Sequence, residues 1–297
     1  MLVQLVSSDG RGVMDRRFVG QWPTGPQPYV PTVMQLTVEV ESGGGLARSL
    51  LREWFEAGLR ILAASLVGNS RSGAYHGHLE GRTSAAMFTT PFEGRTELRQ
   101  EYSPESWQGF LDALIRLPSF ASFEAQKLGP QGVPSFPSIV VSCERVDGDR
   151  AWLNLSMVTK PQLQRSGKRW GEALSFLREM ADKVNPSYGG ISFLDTVFSS
   201  PLEAQLHLRS RDTVPISRSR LRGYGWITIL PEEVGVRLGG VAGLRASGAF
   251  AEVAALENGG FWLRATEDLD NYRAQQAELV RNALAVVLPN AGMVETR

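Results

Sequence analysis

Thirty-one acidic residues balance thirty-one basic ones in a chain of 297, so no global field draws the protein to nucleic acid or an anionic membrane. A charged partner must therefore meet a local patch. Hydrophobic residues make up 42%, enough for one large or two ordinary globular domains, and the lone Cys143 excludes an internal disulfide and a cysteine-built zinc cluster.

The first 32 residues, with Pro23, Pro26, Pro28 and Pro31 in close succession, predict an irregular segment. Met1 to Gly20 has neither a basic leader nor the apolar core of a signal peptide, and no apolar run is long enough to span a membrane, so the expected location is cytoplasmic. Met34, Leu36, Val38 and Val40 alternate with Gln35, Thr37, Glu39 and Glu41, the period of a strand with one buried face. Past Gly43, Gly44 and Gly45, read as a turn, Leu51, Trp54, Phe55, Leu59, Leu62 and Leu66 recur at helical steps until Gly68. Ala85 to Thr89 predicts a short strand. Ser103 and Pro104 then open a helix whose apolar stripe is Trp107, Phe110, Leu111 and Leu114.

Ser119 to Pro137, punctuated by Pro and Gly, predicts a connection between two halves. Beyond it, 139–144 and 151–158 flank Asp147-Gly148-Asp149 as a hairpin, and Trp170, Ala173, Leu174, Leu177, Met180, Ala181 and Val184 mark an amphipathic helix. Gly190 to Leu194 and Ala204 to Arg209 predict short strands. In Tyr224 to Gly240, a strand over Trp226 to Leu230 feeds a short helix started by Pro231, Glu232 and Glu233 and stopped by Gly239 and Gly240. A second hairpin turns at Glu257-Asn258-Gly259-Gly260, and a terminal helix carries Tyr272, Gln276, Leu279, Val280, Ala283, Leu284 and Val287.

Hairpins mixed with helices predict an α+β fold with mainly antiparallel sheets, helices packed on one face, and two halves of similar length. The divisions are an irregular segment 1–32, halves at 33–137 and 138–289, and a tail at 290–297.

Candidate chemistry is sparse. His76, His78 and Glu80 alternate on a loop where two imidazoles and a carboxylate could hold a divalent metal; the alternative is an exposed polar loop. His207 reads as a surface residue and Cys143 as a small buried thiol. Glu232 with Glu233, and Asp268 with Asp270, read as helix-start pairs, and no Gly-x-Ser-x-Gly elbow is present. The most suggestive charged feature is Arg209, Arg211, Arg218, Arg220 and Arg222, with Asp212 the only acid among them. Guanidinium groups pair bidentately with carboxylates, so this segment predicts a contact surface for an acidic protein partner.

Trp226, Leu230 to Glu233, Arg237 to Gly240, Gly259 to Phe261 and Tyr272 together resemble the pattern of immunity proteins associated with polymorphic toxins and type VI secretion. The resemblance covers roughly 138–289 and implies a bacterial, cytoplasmic, non-catalytic protein that binds and neutralises one cognate toxin without a cofactor; the expectation of no nucleic-acid or membrane partner comes from the balanced charge and the lack of a long apolar run. It carries no toxin contact over to individual residues. The competing expectations are a metal-dependent enzyme built on His76, His78 and Glu80, and a structural subunit of a larger assembly.

Overall fold

The computed structural model describes residues 30–39, 44–63, 66, 84–91, 97–116, 118–129, 134–146, 149–159, 167–192 and 200–289. Its strands are β1 (Val30–Glu39), β2 (Ser84–Pro91), β3 (Glu97–Glu101), β4 (Phe120–Leu128), β5 (Pro134–Arg145), β6 (Arg150–Thr159), β7 (Tyr188–Ser192), β8 (Ile227–Leu230), β9 (Glu252–Ala255) and β10 (Phe261–Arg264). They form one ten-stranded sheet in the order β3-β2-β4-β5-β6-β1-β7-β8-β10-β9. Every neighbouring pair is antiparallel. The α+β class read from the sequence is the class observed.

The helices are α1 (Gly44–Gly58), α2 (Pro104–Leu114), α3 (Gly167–Asp182), α4 (Pro201–Leu206), α5 (Ser210–Thr213), α6 (Glu232–Arg237), α7 (Gly240–Ala246) and α8 (Ala274–Leu284), with a π-helical turn at Leu59–Ala63. No helix of the described residues is long and apolar enough to cross a membrane.

β1 organises the sheet. It pairs with β6 on one side and β7 on the other, so the sheet runs unbroken across the boundary placed at residue 137. Met34, Leu36 and Val38 are buried as the alternation requires, but Val33 and Thr37 are also fully buried, because a central strand in a sheet covered on both sides has no solvent face. Side chains of one parity along neighbouring strands (Leu36, Leu153, Cys143 and Ala121 in register) meet α1, α2 and α3. There Trp54 packs on Phe176 at 4.8 Å and Phe55 on Phe110 at 5.1 Å between ring centroids, locking α1 between α3 and α2. The opposite parity, running Trp152, Thr37 and Tyr188 across β6, β1 and β7, lies under the segment that begins at Ser200.

Three local readings change. Residues 120–128 form β4, paired on both sides, where the sequence suggested a connection; its alternating Ala121, Phe123 and Ala125 are the buried row that the flanking Pro and Gly obscured. Residues 201–206 are helix α4 and not a strand: Ser200 accepts from the Glu203 N–H while the Glu203 carboxylate accepts from the Ser200 N–H, a reciprocal capping box with Pro201 at the first helical position. Gly44 and Gly45 open α1 instead of forming a turn before it.

The Tyr224–Gly240 unit folds as expected, with Pro231 at the position just before α6 and Gly239, whose φ is 85°, at its end. It then continues directly into α7. α6 lies so close to β10 that a Cβ on Gly235 would overlap the Phe261 ring. Gly235→Ala should therefore lower stability by about 1–3 kcal/mol in urea unfolding. Gly171→Ala on α3, where a Cβ meets nothing within 4 Å, should be neutral or stabilising by up to about 1 kcal/mol. Equal effects at the two sites would contradict the close approach of α6 to β10.

Candidate functional site

The segment 200–222 separates its arginines into three environments. Arg222 is only 2% exposed and Glu203 is fully buried. The guanidinium donates through Nε to Glu203 Oε1 at 2.8 Å and through Nη2 to Oε2 at 3.0 Å, a bidentate pair, while Nη1 donates to Thr37 Oγ1 at 3.2 Å. Its plane lies over the rings of Trp152 and Tyr188, 5.0 and 5.4 Å from their centroids. Glu203 also accepts from the Thr213 hydroxyl and from the Ser200 N–H, and the Ser200 hydroxyl donates to the Arg222 carbonyl at 2.6 Å. This network ties α4, α5 and the approach to β8 onto the centre of the sheet. Arg222 is thus removed from the predicted contact surface: burial and a complete set of partners make it structural.

Arg218 is the second case. Its Nε and Nη2 each donate to the Glu39 carboxylate at 2.8 Å, Nη1 donates to Glu233, and Nη2 also donates to the Asn185 carbonyl at 2.9 Å. The Glu39 carboxylate holds this guanidinium above its ordinary pKa range. Arg218 clamps the loop to the end of β1 and the start of α6, so its charge is spent within the fold.

Arg209, Arg211 and Arg220 reach the surface. Arg209 pairs locally with Asp212 at 2.8 Å with both partners largely exposed, an arrangement worth little in stability. Arg211 is exposed, and among the described residues no carboxylate pairs with it. Arg220 donates through Nη1 to the Val286 carbonyl at 2.8 Å. Arg237, outside the arginine run as read along the sequence, joins them in space: its Nη1 donates to the Ser219 carbonyl at 2.6 Å.

Apolar side chains stand beside these groups. Ile216 is 36% exposed, Val236 61% and Val286 67%. The sequence reading missed all three, together with Arg237. Val236 had a signal, since it lies between Gly235 and Arg237 on a helix whose buried residues are Val234 and Gly235.

The other candidates resolve simply. His207 is exposed, in the left-handed conformation that ends α4. Cys143 is buried on β5, and desolvation pushes its thiol up to about 12, so it stays protonated at neutral pH and is no nucleophile. Glu232 and Glu233 lie in the first turn of α6, as a helix start requires. Asp268 precedes, and Asp270 lies within, a short 3-10 turn (Leu269–Asn271) ahead of α8, without a side-chain cap. His76, His78 and Glu80 lie outside the described residues; among the described ones, no group of three His, Cys, Asp or Glu side chains could hold a metal. A depression of about 390 Å³ beside α3 is lined by Arg178, Glu179, Asp182, Lys183, Glu257 and Asn258. Its cations are engaged, Lys183 with Glu53 and Arg178 with Glu252.

No protein-family model and no curated protein matches the chain. Among solved structures, it is similar to the Pseudomonas aeruginosa T6SS protein PA0821, with a TM-score of 0.52 at 14% sequence identity over 90% of this chain and 75% of that one. At that identity the likeness is one of fold.

The division of the arginines makes a stability prediction. Arg222→Met strands the Glu203 carboxylate in the interior and should cost about 3–5 kcal/mol in urea unfolding. Arg209→Met should stay within about 0.5 kcal/mol of the parent. Comparable losses from the two would refute the assignment of Arg222 to the fold and Arg209 to the surface.

Proposed function

We propose that this chain is a non-catalytic binding protein of immunity type, which neutralises a cognate protein toxin by direct contact in the cytoplasm. The observation that carries the reading is the likeness of fold, along 90% of the chain, to the Pseudomonas aeruginosa T6SS protein PA0821. The Trp226, Leu230–Glu233, Arg237–Gly240 and Tyr272 pattern supports it from the sequence side. The surface chemistry suits the reading too. The exposed residues of segment 209–220 include Arg209, Arg211 and the aliphatic Ile216, beside an Asp212 that pairs with Arg209, a composition suited to recognising a protein surface.

Placing the coding sequence beside that of the adjacent upstream gene tests the proposal. Induction of the upstream product alone should stop growth of a host cell, co-expression of this chain should restore it, and the two proteins should co-purify. The proposal fails if the upstream gene encodes no toxin-like domain and the chain protects against no product of its locus.

A further inference from the structure

We propose that the partner docks on the surface formed where the 216–220 turn, the C-terminal end of α6 and the 285–287 turn meet, and that the docking partner is an acidic protein surface. The inference rests on the reading of the chain as a binding protein and assigns that binding to particular residues.

Hydrogen bonds bring the three pieces together. The Arg220 N–H donates to the Ile216 carbonyl at 2.8 Å, closing the turn. The side chain of the same arginine reaches the Val286 carbonyl, and Arg237 reaches back from α6 to the Ser219 carbonyl. The Leu221 N–H donates to the Val287 carbonyl at 2.8 Å, fixing the turn against the chain beyond α8. Ile216, Val236 and Val286 therefore come to one neighbourhood from sites seventy residues apart in sequence, each exposed by more than a third. Exposed large apolar side chains among the described residues are Ile115, Ile216, Val236, Leu279 and Val286, so this neighbourhood holds three of the five.

Arg220 and Arg237 are pre-positioned. Each spends one N–H on a backbone carbonyl, and neither meets a carboxylate among the described residues. Holding the guanidinium planes in place before a partner arrives lowers the ordering cost of binding. An arginine beside an apolar centre is also the composition from which interface hot spots are made. Charge decides the partner's chemistry. Two fixed guanidiniums demand carboxylates or phosphates, and the aliphatic side chains between them have no counterpart on a nucleic-acid backbone. Glu232, exposed on the same short helix, would repel a run of phosphates but leave room for a few placed carboxylates.

The test is photo-crosslinking of the full chain in its native host cells, with p-benzoylphenylalanine at position 236, at position 286 and, as a control on exposed Ser175 of α3, at position 175. Positions 236 and 286 should give the same protein adduct, position 175 should not, and the crosslinked peptide should be rich in Asp and Glu. Arg220→Glu with Arg237→Glu should reduce the adduct roughly 30-fold or more while the chain still unfolds cooperatively at a Tm only slightly lowered by the two lost surface hydrogen bonds. Should the double reversal fail to fold, Val236→Asp, at an exposed position, gives the same readout with the crosslinker at 286. The proposal is overturned if neither position gives an adduct, if charge reversal leaves the adduct unchanged, if the adduct contains nucleic acid, or if it is a second copy of this chain. An acidic partner that is not a toxin keeps this surface and removes the immunity reading. Full protection against a toxin by the Arg220→Glu, Arg237→Glu chain does the reverse.

Discussion

The buried pairing of Arg222 with Glu203 is the constraint on which the second face of the molecule depends. Bringing a guanidinium and a carboxylate out of water costs several kcal/mol per ion, and only near-ideal geometry with the remaining valences satisfied offsets it. Both conditions hold here: the pair is bidentate, Thr37, Thr213 and the Ser200 N–H fill further positions, and Trp152 and Tyr188 face the cation. The pair also explains why the segment from Ser200 to Gly225 follows one path. A Cβ on Gly223 would stand 2.6 Å from Ser200 Cβ, so the glycine lets the two strands of the network approach. Burial of Tyr188 in the same place pushes its phenol well above its ordinary pKa.

From this anchor the surface follows. With Arg222 held over β6, β1 and β7, and Arg218 held by Glu39 and Glu233, the turn at 216–220 projects Ile216 and Arg220 outward. The apparent cluster of five arginines is thus two anchors and three surface groups. A linear count of charge overstated the basic surface in one place and understated it at Arg237, which chain distance had hidden.

The fold was legible wherever a local pattern had one physical interpretation. The Ser103-Pro104 start of α2, the β5–β6 and β9–β10 hairpins, and the strand and helix of Tyr224–Gly240 were all readable because capping, turn chemistry and periodicity agreed. Ala204 to Arg209 misled because Leu206 and Leu208 imitate a strand period, although Ser200-Pro201-Leu202-Glu203 already carried a capping box with proline at its first helical position. β4 was hidden by its flanks. The contact surface was only half legible. Whether an arginine is an anchor or an exposed group is settled by what faces it, and Glu203, Glu39 and Glu233 face Arg222 and Arg218 through tertiary contacts that no spacing rule exposes.

On the proposed function, this chain acts by presenting a fixed arginine and aliphatic surface, held by a buried ion pair, to a protein partner. Hydrogen–deuterium exchange of the chain alone and in complex with the adjacent gene product tests it most directly. Added protection should be confined to the neighbourhood of 216–221, 234–238 and 285–288, with the amides of β6, β1 and β7 unchanged. Protection confined instead to α2 and β4, with the 216–221 turn exchanging as in the free chain, would contradict it.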